Sequence, residues 1–566
     1  MTIVLLAFTC ADASGAKKPR VIVQPEDQMH HRTVTKAIRE AHHSIDIVIY
    51  DLGAQDILEA LQVARKKLAR NHSGAPSIRI MINPQWFNPF SAQYQATYWA
   101  LMMEQLEVDL DTGRSKDGVV QFNYAANNFQ ITHQKTLLID ARRKDGSEYE
   151  NSRQVPESAT AIIATFNLQA NDWPKTWNGD PKGRNCPDNP SCSFATGTRD
   201  FGVILKDRSQ IWEIERVFSS DFNEPSAYEA NLDLGLNDPM HALVWSNGTL
   251  GITAPPPTGF GKIFAPGASA YPAFSDFGSG SGFYPYPVSA LYEDNQKDPE
   301  QVHPGTIAGN ARAIFLQEIA KAASAARKGE HPRLLIYNEE YQDPLLLAAI
   351  RDAAALGVQI RILMTFNNIN GPEYQRLVTT RTLSGQPVDA AIHLYPDTAE
   401  YLYLHAKMLY LDLEGQRNDE IIISSQNFSQ TSLEQNRELG IRLGRSWGNL
   451  SPKAAGKLLT TFEKDFSYEG KELNSCPVVV ITPAQTWNDQ IAQLNPQNGC
   501  KAIAGIQSNQ RHAGLNRKSS PSYFPAPLLG VQNSFQPPLP QGPIKGFIPP
   551  QCMVIESNGR FSPCPP

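Results

Sequence analysis

An α/β protein in which one folding unit occurs twice is the architecture this sequence predicts, and three observations carry the prediction. Strand-like and helix-like segments alternate through both halves of the chain. A strand–helix–strand unit in the first half recurs in the second. The pattern H-x-K-x-x-x-x-D occurs once in each half, as HQKTLLID from His133 to Asp140 and as HAKMLYLD from His405 to Asp412. Alternating strands and helices imply a sheet covered by helices, and self-similarity implies one fold used twice. The predicted class is therefore α/β: two similar α/β/α sandwich halves related by a pseudo-twofold axis, with a site at their interface.

In chain order, MTIVLLAFTCADASGAKKPR holds a short apolar segment and the small-x-small pattern Ala11-Asp12-Ala13, so residues 1–13 read as a signal peptide. A helix with Val34, Ile38 and Ala41 on one face precedes IDIVIYDLGAQDILEALQVARKKLA. This is a strand into Tyr50 and then a helix opened by Gln55-Asp56, whose Ile57, Leu61, Ala64 and Leu68 recur at helical spacing. SIRIMIN from Ser77 returns as a strand. The second half repeats the order: a helix bearing Phe315, Ile319 and Ala322, a strand into Tyr337, and Gln342-Asp343 at the same offset. Asp343 is a natural N-cap, Pro344 suits the first helical position, Gly357 ends the helix, and QIRILMT from Gln359 follows. Beyond the histidine motifs, AIIATFNLQ and TRDFGVIL match IIISSQNFS and NRELGIRL, which aligns Thr165 with Ser425, Asn167 with Asn427, and Asp200 with Glu438. The expected boundaries are 20–225 for the first domain, 226–305 for a Gly/Pro/aromatic linker or lid, 306–468 for the second domain, and 469–566 for a Cys- and Pro-rich tail.

The 566 residues exceed one ordinary core. A hydrophobic content of 41% and a net charge of −6 fit a soluble globular protein and supply no bulk electrostatic reason to bind nucleic acid. No apolar run approaches the roughly 20 residues of a membrane span. With Cys10 removed in the leader, the remaining cysteines fall into pairs close in sequence: Cys186 with Cys192, Cys476 with Cys500, and Cys552 with Cys564. Such pairs suit loop-closing disulfides in an oxidising compartment, so a secreted or periplasmic location is expected. Asn558-Gly559 reads as a hairpin turn between the last two cysteines.

Along a strand, His133 and Lys135 project from one face, as do His405 and Lys407, and a lysine on a core-facing stripe is costly unless an anion meets it. Brought together, the two halves supply two imidazoles, two ammonium groups, the Asn167 and Asn427 amides, and the Thr165 and Ser425 hydroxyls. That set of donors suits a group with several anionic oxygens and disfavours a metal, because the lysines repel a cation. A phosphoryl group fits best. Lys135, Lys407, Thr165, Ser425, Asn167 and Asn427 are the expected phosphate contacts; one histidine attacks phosphorus and the other transfers protons. Each imidazole needs an acceptor at its second nitrogen, and Asp200 and Glu438 are the candidates. Asp140 and Asp412 lie an odd number of positions from their histidines and are read as structural. The pairs His30-His31 and His42-His43 are read as surface residues, since adjacent side chains diverge.

The doubled motif, followed by Ala164-Thr165-Phe166-Asn167 and by Ser424-Ser425-Gln426-Asn427 and then an acid, resembles the phospholipase D superfamily over roughly Val21 to Ser467. The resemblance implies a monomer acting as an internal pseudo-dimer, with no metal or other cofactor, and a covalent phosphohistidine. It implies that His133 is the nucleophile and His405 the acid, a point on which the residues themselves are symmetric.

The reading this leads to is an exported phosphodiesterase that hydrolyses or transfers phospholipid headgroups, touching a membrane surface peripherally. Three alternatives stand beside it: a metal-independent nuclease of the same superfamily, for which nucleic acid would be the substrate; a cardiolipin-synthase-like phosphatidyltransferase; and a non-enzymatic binding protein on the same scaffold. The intact His133, Lys135, His405 and Lys407 argue against the last.

Overall fold

A computed structural model describes residues 18–24, 26, 29–50, 52–70, 74–83, 102–109, 112–125, 132–168, 198–223, 243–247, 311–365, 371–395, 403–413, 419–429, 431–445, 449–467, 479–481, 553–555 and 561–563. The cysteines expected to form disulfides, the signal peptide, and most of the expected linker and tail lie outside these residues.

The first half runs β1 (Arg20–Gln24), α1 (Met29–Glu40), β2 (Ile45–Ile49), α2 (Gln55–Ala69), β3 (Ile78–Ile82), the short β4 (Val108–Asp109) and β5 (Arg114–Ser115), β6 (Val120–Tyr124), β7 (Thr136–Ile139), β8 (Thr160–Ala164), β9 (Thr198–Leu205) and α3 (Arg208–Asn223). The second runs β10 (Leu243–Asn247), α4 (Ala311–Arg327), β11 (Pro332–Tyr337), α5 (Pro344–Ala355), β12 (Gln359–Thr365), α6 (Gly371–Val378), β13 (Ala390–Tyr395), β14 (Tyr403–Leu404), β15 (Met408–Leu413), β16 (Glu420–Ser424), β17 (Arg437–Gly444), α7 (Pro452–Phe466) and β18 (Val479–Ile481).

Among the described residues these strands form two large sheets. One has the order β1-β9-β8-β7-β2-β3-β6-β5-β4, and the other β10-β17-β16-β15-β11-β12-β13-β18. The first seven positions correspond strand for strand. The β2-β3-β6 and β11-β12-β13 strands are parallel and the other neighbours in these two orders antiparallel, while β14 joins the first sheet by pairing parallel with β9. The central strands have no exposed face, as covering by helices requires: every residue of β2, β3 and β8 is buried, including Asp46 and Arg79, which pair with each other at 2.6 Å.

Three hydrophobic clusters divide the interior. One packs α1 and α2 on the first sheet, through Val34, Ile38, Ile57, Leu61, Ala64 and Leu68. A second packs α4, α5 and α6 on the other sheet, through Phe315, Ile319, Ala322, Leu346 and Ile350. The third joins the halves, drawing on Phe201, Val203 and Phe218 from the first and on Tyr337, Leu439, Leu458 and Phe462 from the second. Ion pairs stitch the same boundary. Arg199 on β9 holds Asp465 of α7 at 2.6 and 2.9 Å, and Arg437 on β17 holds Asp221 of α3 at 2.7 Å.

Two expectations about boundaries change. Leu243–Asn247, placed by the sequence in the linker, is the edge strand β10 and pairs antiparallel with β17. Val479–Ile481, placed in the tail, extends the second sheet beside β13. In both cases tertiary pairing recruits a short segment too weakly patterned to declare itself. Near the C-terminus, Met553–Ile555 and Phe561–Pro563 pair as the hairpin expected around Asn558-Gly559, with Met553 opposite Pro563.

The register of the repeat also changes. Asp343 caps α5, its carboxylate accepting from the Leu346 amide at 3.0 Å, with Pro344 behind it and Gly357 at φ +101 beyond the helix end. The corresponding cap of α2 is Ala54, and Asp56 lies inside that helix. The Gly53 and Ala54 amides bond Leu168 O just as the Gln342 and Asp343 amides bond Phe428 O. Val48 opposes Thr136 as Tyr337 opposes Met408. The repeated Gln-Asp pair is therefore a coincidence two residues out of register, and the true counterpart of Tyr50 is Glu339.

Candidate functional site

The strand registers deliver each histidine to the other half. Thr132 bridges to Arg437 on β17, and the amides of His133 and Gln134 donate to Arg437 O at 2.8 and 3.0 Å. Reciprocally, β14 pairs with β9, and the His405 amide donates to Arg199 O at 3.2 Å. Arginine and acid are adjacent on each strand, so the arginine faces the joining core and the acid faces the histidine.

The result is two crossed pairs. His133 Nδ1 lies 2.9 and 3.1 Å from the Glu438 carboxylate, and His405 Nδ1 lies 2.9 Å from Asp200 Oδ1. Both acids are held anionic. Burial opposes this most strongly, but for Glu438 it is outweighed by His133, Lys135 and hydrogen bonding, and for Asp200 by His405, Thr165 and Thr198. A carboxylate only accepts, so each Nδ1 carries its proton and each Nε2 is left as the reactive nitrogen. The acids are fixed in turn. Glu438 accepts from Ser432 Oγ at 2.6 Å and Asn436 Nδ2 at 3.0 Å; Asp200 accepts from Thr165 Oγ1 at 2.5 Å and from Thr198 Oγ1.

Lys135 Nζ donates to His133 O at 2.8 Å and Lys407 Nζ to His405 O at 2.6 Å, both with 1% of the residue exposed. Each lysine thus curls beside its own histidine. Asn167 is buried and Asn427 half-buried on the loops after β8 and β16. The backbone amide of Asn427 donates to Ser432 Oγ at 2.8 Å, which ties that loop to the Glu438 cluster.

The expectation that Thr165 and Ser425 touch phosphate is replaced by a different contact. Both hydroxyls are fully buried and accept a β9 or β17 amide, Phe201 N at 2.9 Å and Leu439 N at 3.1 Å. The Thr165 hydroxyl then donates to Asp200, and the single Ser425 proton is shared between Leu439 O, at 3.2 Å, and the Glu438 carboxylate. They position the acids. Gly440, two residues past Glu438, permits the close approach: a Cβ there would lie 2.3 Å from Ser424 Cβ. Asp140 accepts the amides of His42, His43 and Ser44 at 2.8, 2.7 and 3.3 Å, while Asp412 pairs with Arg333 at 2.5 Å. Both lie on backbone or surface partners rather than in the site.

Residues 321–466 match the family described as "Cardiolipin synthase, PLD-like domain". This span contains His405, Lys407, Asn427 and Glu438, the residues just placed. Over residues 321–466, then, the chain carries a phospholipase D-like domain. No curated protein matches the sequence. Among solved structures, the phosphatidylserine synthase of Haemophilus influenzae Rd KW20 aligns at 9% identity and a TM-score of 0.45, covering 89% of this chain and 94% of its own. Polyphosphate kinase from Porphyromonas gingivalis aligns at 12% identity and a TM-score of 0.42, covering 88% of this chain and 55% of the kinase, so the chain spans about half of that protein. Nuc from Salmonella typhimurium, a phospholipase D family member, aligns at 18% identity and a TM-score of 0.22, covering 36% of this chain and 95% of its own.

Within the site the two histidines differ in electrostatic setting. Both residues are 9% exposed. Burial and the neighbouring Lys135 and Lys407 outweigh Glu438 and depress His133 to about 4. At His405, burial and Lys407 push the same way but are outweighed by Glu339 and Asp200, so it rises above its usual value. Glu339 was missed by sequence reasoning. Its carboxylate contacts Lys407 Nζ, lies 3.7 Å from His405 Nε2 and accepts from Tyr403 Oη at 2.8 Å. Burial notwithstanding, Lys407, His405 and Tyr403 hold it down at about 2. Aligning the halves by helix cap rather than by Gln-Asp would have exposed it as the odd residue in the repeat.

Proposed function

We propose that this chain cleaves the phosphodiester of phospholipid headgroups at one site shared by both halves, and passes the phosphatidyl group to water or another alcohol. The observation that carries the reading is the crossed arrangement: each histidine is oriented by the acid of the other half, so neither half is a complete site. Neutral His133 attacks phosphorus through Nε2 as the bond to the leaving alkoxide breaks, and His405 gives its Nε2 proton to that alkoxide. In the return step an incoming hydroxyl loses its proton to His405 while its oxygen attacks phosphorus and the phosphorus–nitrogen bond breaks. Lys135 and Lys407 stabilise the charge on the phosphoryl oxygens. The description of the matching family, cardiolipin synthase, supports a second reading in which transfer to an alcohol exceeds hydrolysis. Export belongs to the proposal as well, on the cysteine pairing and the leader.

The test is to incubate purified protein in excess EDTA with phosphatidylcholine, phosphatidylethanolamine, phosphatidylglycerol, cardiolipin, and single- and double-stranded DNA, with and without ethanol. The expected products are phosphatidic acid and, with ethanol, phosphatidylethanol. Cleavage of DNA alone overturns the lipid reading, and cardiolipin formed from phosphatidylglycerol without phosphatidic acid favours the transferase. Non-reducing peptide mapping tests export: the expected links are Cys186–Cys192, Cys476–Cys500 and Cys552–Cys564, and free thiols would remove the argument.

A further inference from the structure

The two catalytic half-sites match in the charged groups around their histidines except at one register position; Tyr403, two residues before His405, also stands where the first half has Ile131 in sequence. Each histidine has a carboxylate at Nδ1, a lysine two residues on, and the same exposure. Facing His133 are Glu438 from β17, Tyr50 from the loop after β2, Lys135 from its own segment and Lys407 across the interface. Facing His405 are Asp200 from β9, Glu339 from the loop after β11, and Tyr403 and Lys407 from its own segment. Tyr50 and Glu339 occupy the equivalent position, two residues beyond the paired Val48 and Tyr337 and four before the caps Ala54 and Asp343.

We infer that this position assigns different tasks to two otherwise equivalent histidines: Glu339 makes His405 the proton donor, and Tyr50 leaves His133 as the attacking base. The chemistry follows from what each side chain brings. Tyr50 sets its ring edge-on to His133, centroids 5.0 Å apart at 76°, and lies 5.5 Å from Lys135 Nζ. An aromatic ring there excludes water without adding charge, which favours a neutral imidazole. Glu339 instead brings a full negative charge to within 3.7 Å of His405 Nε2, the nitrogen that faces the reacting group, and Tyr403 Oη holds it there. The same carboxylate meets Lys407, so the incoming phosphate is steered toward the Lys135 side, next to the nucleophile, and its leaving group toward His405. Glu339 is thus a positioning residue that sets direction in a site whose scaffold is otherwise even-handed.

This inference rests on the phosphohistidine reading but is separable from it, because histidine titration needs no substrate. In the full-length wild-type chain with labelled histidines, NMR titration is expected to place His133 below and His405 above the ordinary histidine value. In Glu339→Gln, His405 should titrate lower by about one pH unit while His133 stays put. Tyr403→Phe, which keeps the carboxylate but loosens it, should lower His405 by less, so the test survives if Glu339→Gln fails to fold. Rapid quenching with bis(p-nitrophenyl) phosphate should then trap the adduct on His133 in the wild type and on His405 in the exchanged variant Tyr50→Glu/Glu339→Tyr. Like titration of both histidines in the wild type, or an adduct that stays on His133 after the exchange, overturns the inference. Normal titrations with no phosphodiester turned over at all would instead overturn the proposed function and leave the charge assignment intact.

Discussion

His133 and His405 stand on corresponding segments of two sheets with the same strand order, each tied by its backbone to the acid strand of the opposite half and by Nδ1 to that strand's carboxylate. In hydrogen bonding they are nearly interchangeable. In electrostatic setting they are not: burial and lysines push the first imidazole down to about 4, and Glu339 with Asp200 raise the second above its ordinary value. The difference teaches where a repeated fold stores its function. Strands and their registers build an even-handed cradle, and one loop residue per half breaks the balance.

The strongest way to break the comparison is to delete each histidine. His133→Ala and His405→Ala should each reduce turnover by about 10³-fold or more, with circular dichroism and melting near wild type. Each half lacks its own acid, so neither mutant has an intact site to fall back on. Substantial activity in either would mean that the halves work separately.

Next in size are the lysines, and here the halves should diverge. Lys135→Ala should cost about 3 kcal/mol of transition-state stabilisation with the fold little changed. Lys407→Ala should lose comparable activity and in addition about 2 kcal/mol of stability, because it strands the Glu339 carboxylate in a mostly buried setting. Adding Glu339→Gln to Lys407→Ala should recover that stability in urea titrations but not the activity. Equal stability losses at the two lysines would show that Glu339 is not charge-coupled to its half.

Much of this site is legible in the sequence alone. His133, Lys135, His405 and Lys407 are named by the motif, and Asp200 and Glu438 by their equal placement in the repeat. The fold class follows from the strand–helix alternation. Three things are hidden. That the acids cross between halves depends on β14 pairing with β9 and on Thr132 bridging to Arg437, contacts between segments remote in sequence. The Thr165 and Ser425 hydroxyls look like phosphate ligands by type, and only their burial against β9 and β17 shows that they serve the acids. Glu339 is masked by the accidental Gln-Asp match, which sets the helices two residues out of register; a strand pair and a capping residue are needed to correct it.

A pH series sharpens the charge difference. On the proposed mechanism turnover requires His133 neutral and His405 protonated, so kcat/KM should rise through about 4 and fall above the ordinary 6.5 of histidine. Stability carries both signs. His133, depressed when folded, contributes stability that is present above 6.5 and lost as pH falls toward 4. His405, raised when folded, contributes stability that is present below 6.5 and lost as pH rises through its folded value. A pKa that differs by one between the folded and unfolded chain is worth about 1.4 kcal/mol. Glu339→Gln should draw in the alkaline limb of activity and remove the matching alkaline loss of stability, leaving the acid side unchanged. A profile whose acid limb moved instead would assign Glu339 to the wrong histidine.

The smallest expected effects come from the aspartates that close the two motifs, which the shared pattern makes look equivalent and the structure makes different. Asp140 is buried at φ 56, and one carboxylate oxygen accepts three consecutive amides at the entry to β2. Asp412 pairs with Arg333, whose side chain is 27% exposed and also reaches Glu463. Removing an acceptor from three clustered amides, one buried and two part-buried, costs more than removing one partner of a solvated ion pair. Asp140→Ala should therefore lose about 2 kcal/mol, and Asp412→Ala less than about 1 kcal/mol, measured by urea unfolding. Asp140→Asn should recover part of the loss, since its side-chain oxygen still accepts. In all three variants the folded protein should keep its kcat, because neither aspartate touches a histidine or lysine of the site. A fall in kcat without a fall in stability would place that aspartate in the chemistry and undo its structural reading.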